Sequence, residues 1–262
     1  MKSIISINNK FMDIIPKDLV EIISRYPSTN GVEVCINFNS EEERKYLDEL
    51  VFELNRNNLI LQIHADVTLE LDKQIEYMKE LEKYSDLLGY PIVVTIHTIY
   101  DDDKEISKNK TIDYLSELIS GIDTNKIVIC LENLNDSSGK DRLNKEEIKS
   151  LVLNDESIYF TYDMGHELAD YGDLSHLDEY MLEDIRNIHI HTHDDQGRDH
   201  LPIYPGDEYS NNILKGLLYL EVNKYKYNIV YEYDLYECRG ETTEEQLIDY
   251  LQSIDYVSEK YR

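Results

Sequence analysis

Short apolar runs recur eight times along the chain, and each is followed by a longer polar stretch. The runs are five to ten residues long and rich in Ile and Val, which is typical of β-strands. They lie at residues 3–7, 31–38, 59–66, 91–99, 126–134, 158–166, 185–194 and 227–234. The repeat therefore predicts eight strands that alternate with polar connections.

The polar stretches carry apolar residues at the spacing of an amphipathic helix. In the last stretch, Leu247, Leu251 and Ile254 fall on one face. Ser40 and Glu43 stand at the spacing of a capping box, which favours a helix start at this point. The predicted helices span residues 40–56, 73–88, 109–120, 143–152, 208–222 and 242–258.

Alternating strands and helices with nearly continuous apolar strands predict a parallel sheet covered by helices. A count of eight favours closure into a (β/α)8 TIM barrel, for which about 250 residues is a usual length. An open, doubly wound sheet is the alternative. The chain has 262 residues and no Gly-, Ser- or Pro-rich linker, so we expect a single TIM-barrel domain over residues 1–262.

The balance of acidic and basic residues limits the classes of partner that the chain can bind. The chain has 54 acidic and 26 basic residues, a net charge of −28. A surface this acidic repels phosphate backbones and anionic lipid, so we expect neither nucleic acid nor membrane as a partner. No apolar run approaches the length of about 18 residues that spans a bilayer.

Cysteine use and the start of the chain suggest the compartment. The three cysteines, Cys35, Cys130 and Cys238, form no CxxC pair, and two of them lie within apolar runs. The first residues lack the apolar segment of a signal peptide. These features predict a reduced, cytoplasmic protein.

Polar residues gather where the predicted strands end. In a parallel barrel all carboxyl ends of the strands open onto one face, which is where such barrels place their sites. The side chains expected in this mouth are His64, His97, Glu132, Asp163, His166, His189, His191, His193, His200 and Glu232. Imidazole and carboxylate together are the ligands of Zn²⁺, Mn²⁺ or Fe²⁺.

The electrostatics of such a mouth also favour a metal, because several carboxylates repel each other unless a cation holds them. A lone Glu after a strand is usually an exposed loop residue or a helix cap, so Glu132 alone would indicate little. His189 stands two positions before the end-of-strand cluster. We therefore interpret it as a buried, hydrogen-bonded strand residue.

Six short motifs, in this order, resemble the xylose-isomerase-like barrels, a superfamily of sugar and sugar phosphate isomerases and epimerases and of endonucleases of the endonuclease IV type. The motifs extend from the third strand to the eighth. They are IHAD (63–66), TIH (95–97), LENL (131–134), YDMGH (162–166), HTHDDQGRDHLPIYPGD (191–207) and YEYD (231–234).

The resemblance implies a metal site. In the isomerases and epimerases one divalent metal is held by Glu, Asp, His and Glu from strands five to eight. Carried onto this chain, these ligands are Glu132, Asp163, His191 and Glu232. The metal would be Mn²⁺ or Zn²⁺, with Mg²⁺ and Co²⁺ as alternatives.

The endonucleases add ligands for a three-zinc cluster, which here would give a second site at His64, His97, His166 and His200. Two departures count against an intact cluster. The family expects Asp-x-His, but the residue two before His200 is Arg198. The usual Gly-Glu-Gly is replaced at residues 204–207.

The function we predict is therefore a metal-dependent isomerase or epimerase of a sugar or sugar phosphate. Glu132 and Glu232 would remove and return a proton through an enediolate, and His166 and Arg198 would bind the substrate. The alternatives are a zinc-dependent phosphodiester hydrolase, which the charge of −28 disfavours, a lyase of related sugar acids, and a non-catalytic barrel that binds a metal or ligand. The resemblance also implies a homodimer.

Overall fold

Eight parallel strands close into one barrel in the order β1 to β8, and β8 pairs with β1. This confirms the (β/α)8 prediction and rules out the open sheet. The computed structural model describes residues 1–35, 37–65, 70–134, 143, 145–152, 157–174, 177 and 182–261. Asp66 of the IHAD motif and Asn144 of a predicted helix lie outside these residues.

All eight predicted strands are present. They are β1 (Lys2–Ile7), β2 (Thr29–Cys35), β3 (Ile60–His64), β4 (Ile92–Ile96), β5 (Ile127–Glu132), β6 (Ile158–Asp163), β7 (Ile185–Ile190) and β8 (Asn228–Tyr231). The helices are α1 (Pro16–Ser24), α2 (Glu41–Asn57), α3 (Leu71–Leu88), α4 (Lys104–Ser120), α5 (Lys145–Val152), α6 (Met164–Tyr171), α7 (Glu208–Val222) and α8 (Thr243–Tyr261). None of these helices is long and apolar enough to cross a membrane.

The predicted cap at Ser40 is confirmed. Its side chain accepts a hydrogen bond from the Glu43 amide at 3.3 Å, so α2 begins where the capping box predicts. In an ideal capping box the Glu43 carboxylate would accept from the Ser40 amide. Here it accepts from the Asn37 amide at 2.6 Å, three residues earlier in the chain. The same helix ends at Asn58, whose φ of 54° is left-handed.

Two helices were missing from the prediction. One is α1, which starts with Pro16 at a position where the absent amide hydrogen costs nothing. The other is α6, which begins directly after β6 without a loop. The prediction of a single strand over 158–166 is therefore wrong for its last three residues, which belong to α6. The helix begins here because the Asp163 carboxylate caps it by accepting a hydrogen bond from the His166 amide at 2.8 Å.

The strands separate two different environments. The layer between strands and helices is apolar and fully buried, as at Ile129 and Ile188. Inside the barrel, below the mouth, the side chains are polar and equally buried: Glu33, Gln62, Thr95, Thr161 and Asn187. Because buried polar groups need partners, this layer carries its own hydrogen bonds, such as 3.0 Å between the Thr95 and Thr161 hydroxyls.

Candidate metal centre at the barrel mouth

Four side chains from β5, β6, β7 and the end of β8 converge on one point. They are Glu132, Asp163, His189 and Glu232, and one ligand atom from each lies within 4.8 Å of the others. Glu132 is 1% exposed, and Asp163 and His189 are fully buried. The three carboxylates are those predicted from the sequence.

His189 is the centre of this group. Its Nδ1 lies 3.0 Å from Glu132 Oε1, 2.9 Å from Glu232 Oε2 and 3.9 Å from Asp163 Oδ2. The sheet register explains this placement, because Asp163 on β6 is paired directly with His189 on β7. The interpretation of His189 as a buried, hydrogen-bonded strand residue agrees with its full burial on β7 and its hydrogen bond with Glu132.

His191, the predicted ligand, lies directly after the end of β7. Within the described part of the chain, Asp163 is the one of the three carboxylates with which it forms an ion pair. Its Nε2 is 3.2 Å from Asp163 Oδ1, and its Nδ1 is 2.9 Å from Asp199 Oδ1. His189 and His191 are two residues apart, so both point into the barrel. The geometry therefore brings His189 to the three carboxylates and the predicted His191 to one of them, and the assignment of His191 as the ligand stays a prediction.

The four histidines of the predicted second site separate into two groups. His64 and His97 lie on the Glu132 side, with their Nε2 atoms 3.3 and 3.0 Å from Glu132 Oε2. Their own Nε2 atoms are 3.2 Å apart. This pair can share Glu132 with the central group.

His166 and His200 lie on the Asp163 side, where His191 joins them. The rings of His191 and His200 stack with centroids 4.3 Å apart, and the His166 ring is 5.1 Å from that of His191. One nitrogen from each of the three lies within 4.8 Å of the others, so they form a second set able to hold a metal. His166 Nδ1 is 3.0 Å from the Asn133 carbonyl, to which it donates when protonated, leaving Nε2 free to bind.

Asp199 brings a carboxylate to this group, although the Asp-x-His pattern is absent from the sequence. Its Oδ1 is 2.9 Å from His191 Nδ1, and its Oδ2 is 3.9 Å from His166 Nε2. The neighbouring His200 adopts a left-handed φ of 55°. The position of Asp199 could not be predicted from the sequence pattern, because the carboxylate stands one residue, not two, before His200.

The Arg198 side chain pairs with acidic residues outside this group. Its side chain is 56% exposed, with Nε 2.8 Å from Asp194 and Nη1 3.0 Å from Glu237. Its loop is a hairpin, since Thr192 and Leu201 exchange two backbone hydrogen bonds of 2.9 Å. Gly197, at its tip, has a φ of 77°. The substrate-binding role predicted for Arg198 therefore gains no support from its contacts.

The buried carboxylates set the protonation of the histidines. Burial lowers the pKa of His64, but the Glu132, Glu232 and Glu33 carboxylates outweigh it and raise that pKa to about 9. Burial likewise lowers the pKa of His189, which the same three carboxylates drive well above its usual range. For Glu132, burial raises the pKa, and the nearby histidines bring it well below normal. Without a metal, protonated histidines therefore balance the carboxylates.

The metal-free protein is expected to lose stability as the pH rises from about 6.5 towards 9. A group whose folded pKa is raised stabilises the fold fully below its unfolded pKa and loses that contribution as the pH passes the folded value. His64 has its pKa raised from 6.5 to about 9. Thermal melts of chelator-treated protein across this range test the sign. A His64→Asn variant should show a flatter profile, and an equally steep one would contradict the assignment.

Gly165 in α6 leaves room for the His191 ring. A Cβ at this position would lie 2.2–2.4 Å from three atoms of that ring, a distance no real contact shows. Gly165→Ala is therefore expected to displace His191 and weaken metal binding at His166, His191 and His200, while the Glu132 group keeps its metal. Metal content per chain is the measurement.

The control for that substitution is Gly216→Ala in α7, where the added Cβ meets the flexible side chains of Leu174 and Met164. It should leave the metal content unchanged. A full metal complement in the Gly165 variant would show that His191 does not need its present position.

The donor set fits a divalent metal. Glu33, Glu132 and Asp163 are at most 1% exposed, and the ion pairs found for them in the described residues involve only histidines. Buried carboxylates without Lys or Arg need another positive charge, and a divalent metal can supply the charge that protonated histidines provide in its absence. Three carboxylates and an imidazole within 4.8 Å provide the mixed oxygen and nitrogen ligands that Mn²⁺ and Zn²⁺ accept.

Known proteins share this fold. A family profile described as xylose isomerase-like TIM barrel matches residues 20–253. No curated protein matches the sequence.

Three solved structures illustrate the likeness. An AP endonuclease, family 2, from Brucella melitensis is 17% identical, with a TM-score of 0.67 and 93% of this chain and 96% of that chain covered. A D-allulose 3-epimerase from Methylomonas sp., in complex with D-allulose, is 9% identical, with a TM-score of 0.73 and coverage of 100% and 97%. A sugar phosphate isomerase/epimerase from Parabacteroides distasonis is 13% identical, with a TM-score of 0.63 and coverage of 96% and 93%. Identities this low show a common fold alone.

Proposed function

Since this chain belongs to the xylose isomerase-like TIM barrel family, we propose that it is a metal-dependent isomerase or epimerase of a sugar or sugar phosphate. One observation carries the proposal. Glu132 on β5 and Glu232 after β8 reach the same His189 nitrogen, at 3.0 and 2.9 Å, from strands on different sides of the barrel. Two carboxylates that approach one point from different strands can remove a proton from a substrate and return one.

The metal would be held by Glu132, Asp163, His189 and Glu232. When bound, a divalent cation acts as a Lewis acid that polarises a carbonyl and stabilises the negative charge next to it. The sugar neighbours in the comparison are consistent with this use of the site, since one of them is in complex with D-allulose.

The chain's own residues would move the proton. One of the two glutamates takes the proton from the carbon next to the substrate carbonyl, and the electron pair of that C–H bond forms an enediolate. The other glutamate delivers a proton. Delivery to the opposite face of the same carbon gives an epimer, and delivery to the neighbouring carbon gives the aldose or ketose isomer.

Charge favours a sugar over a phosphodiester. The net charge is −28, and two basic side chains near the mouth are already paired. Arg198 binds Asp194 and Glu237, and Lys104 Nζ lies 2.9 Å from Glu147. A nucleic acid backbone normally requires unpaired Lys and Arg contacts.

A second candidate is a zinc-dependent phosphodiester hydrolase. The observation in its favour is the pair of histidine groups that flank the central ligands, because His64 with His97 and the His166 set could hold further metals. Two or three zinc ions could activate a water for attack on phosphorus. A non-catalytic barrel that binds metal is the third alternative.

The deciding experiment combines metal content with deuterium exchange. Untagged protein, purified without chelator, is analysed by mass spectrometry for metal per chain, and is then incubated in D₂O with a panel of ketoses and their phosphates. Deuterium at the carbon beside the carbonyl supports the isomerase or epimerase. Nicking of abasic duplex DNA at low salt, without exchange into any sugar, would replace it with the hydrolase. Bound metal with neither activity would indicate the non-catalytic barrel.

A further inference from the structure

Asn133 is a buried amide with no part in the proton transfer proposed above. It is 4% exposed and stands directly after Glu132, the last residue of β5, in the LENL motif (131–134). The backbone pairing of β5 with β6 ends at Glu132 and Thr161. Beyond this pairing, the side chain of Asn133 continues the connection between the two strands.

Both polar atoms of the Asn133 amide bind the backbone of one residue, Asp163. The Oδ1 atom accepts a hydrogen bond from the Asp163 amide at 2.8 Å, and Nδ2 donates to the Asp163 carbonyl at 3.0 Å. Because the backbone amide can only donate and the carbonyl can only accept, these two bonds fix the orientation of the Asn133 side chain. Both bonds are buried, so losing them would leave polar groups of Asp163 without partners.

Asp163 needs such a partner because it begins a helix, and the first amides of a helix have no partner within it. Its Oδ1 caps α6 by accepting from the His166 amide at 2.8 Å. In a capping box, a Glu or Gln at the position of His166 would in return bind the amide of the capping residue. His166 instead places Nδ1 3.0 Å from the Asn133 carbonyl. Asn133 therefore does from a neighbouring strand what the acid of a capping box does within the helix.

These bonds concern two predicted ligands that are the same whether His189 or His191 completes the site. One carboxylate oxygen of Glu132 and one of Asp163 lie within 4.8 Å of each other. Glu132 is joined to Asn133 by a peptide bond, and Asp163 is joined to it by the two hydrogen bonds. The spacing between the two carboxylates is therefore set through Asn133.

We infer that Asn133 is a positioning residue that holds Asp163 at the spacing from Glu132 that a divalent metal requires. Partners that orient the ligands of a metal typically contribute about 10–100-fold to its affinity. The inference rests on the metal centre of the proposed function. It adds that this centre depends on an amide that is not itself a ligand.

The test compares three proteins: wild type, Asn133→Leu and Asn30→Leu. Each is freed of metal and titrated with Zn²⁺ against a chromophoric chelator. Leucine is similar to asparagine in shape but can neither donate nor accept a hydrogen bond. We expect the zinc affinity of Asn133→Leu to fall by about 10–100-fold, because Asp163 is no longer held in place.

Asn30→Leu is the matched control. Asn30 lies near the start of β2, at the end of the barrel opposite the mouth, and its Oδ1 accepts from the Ser3 amide of β1 at 3.0 Å. The substitution therefore removes a bond of the same kind between two neighbouring strands. It should lower the melting temperature but leave the zinc affinity within about twofold of wild type, since it removes no partner of a ligand.

Amide hydrogen exchange of the metal-free proteins measures the hold on Asp163 without any metal. The Asp163 amide should exchange slowly in wild type and rapidly in Asn133→Leu. The Phe160 amide of the same strand, which donates to the Asp184 carbonyl at 2.9 Å, should stay protected in both proteins. If Asn133→Leu does not fold, Asn133→Ala replaces it, with a smaller loss of affinity expected because a water can then bind one of the two backbone groups.

The outcomes separate this inference from the proposed function. Wild-type zinc affinity in the folded Asn133 variant, or unchanged exchange of the Asp163 amide, would overturn the role of Asn133 and leave the metal centre standing. An equal loss of affinity in Asn30→Leu would also overturn it, because any bond between strands would then have the same effect. Failure of wild type to bind any divalent metal would overturn both proposals, whereas metal binding without deuterium exchange into a sugar would overturn only the isomerase or epimerase.

Discussion

Glu132→Gln and Glu232→Gln should each lower isomerisation or epimerisation by about 10²–10⁴-fold, the usual contribution of a positioned acid or base. Glutamine keeps the shape of the side chain but cannot take or give the proton. Both residues also reach the His189 nitrogen, so turnover has to be measured at saturating metal. The substrate is the ketose that exchanges deuterium most rapidly with wild type.

Exchange and turnover together identify which glutamate does what. Each glutamate removes the proton from one of the two epimers. Loss of one glutamate therefore abolishes deuterium exchange into one epimer, and loss of the second glutamate abolishes exchange into the other epimer. The matched control is Glu244→Gln, an exposed carboxylate in the first turn of α8, which should leave both measurements unchanged. A fully active Gln variant at either position, with metal bound, would remove that residue from the reaction.

His189→Ala should abolish tight metal binding at the central group, whereas His191→Ala should spare it. His189 Nδ1 approaches all three carboxylates, while His191 approaches Asp163 and Asp199. Removing a hydrogen-bond partner of a ligand typically lowers metal affinity by about 10–100-fold. Removing the ligand itself is expected to lower the affinity further. Chelator competition gives the affinity of each variant, and metal analysis gives the stoichiometry.

The two histidines act as controls for each other. Both are buried, with His189 in β7 and His191 directly after its end, so removal of either creates a similar cavity. If His191→Ala loses the central metal and His189→Ala retains it, the assignment of His191 from the sequence is right and the proposal of His189 as the ligand is wrong. If His191→Ala loses only a second metal, the His166 set is a site of its own.

The residues at the carboxyl ends of the strands could be predicted from the sequence, because their meeting at one face depends only on the order of strands and helices along the chain. Eight apolar runs imply eight parallel strands, and parallel strands bring residues such as Glu132 and Glu232 to one face whatever their distance along the chain. The depth of each residue within the barrel could not be predicted. It depends on the register between neighbouring strands, and the pairing of Asp163 with His189 leaves no trace in either strand's own sequence.

Two other features were hidden for different reasons. Glu33 stands in an apolar run, where a single charge suggests an outward-facing position, and only the closed barrel shows that it faces inward. Asp199 belongs to a hairpin whose turn decides which neighbouring side chain reaches the site, and that turn makes Asp199, not Arg198, the contact of His191. Helix α6 was missed because Asp163 is both the last strand residue and the cap of the helix.

The hairpin between Thr192 and Leu201 has a consequence for how this barrel can diverge. Its paired backbone fixes the two ends of the loop, and His191 and His200 lie just outside and just inside these fixed points. Insertions or deletions around Gly197 would therefore change the rim of the mouth while His191 and His200 keep their places. The loop tip is thus a position where the surface around the mouth can change independently of the histidines inside it.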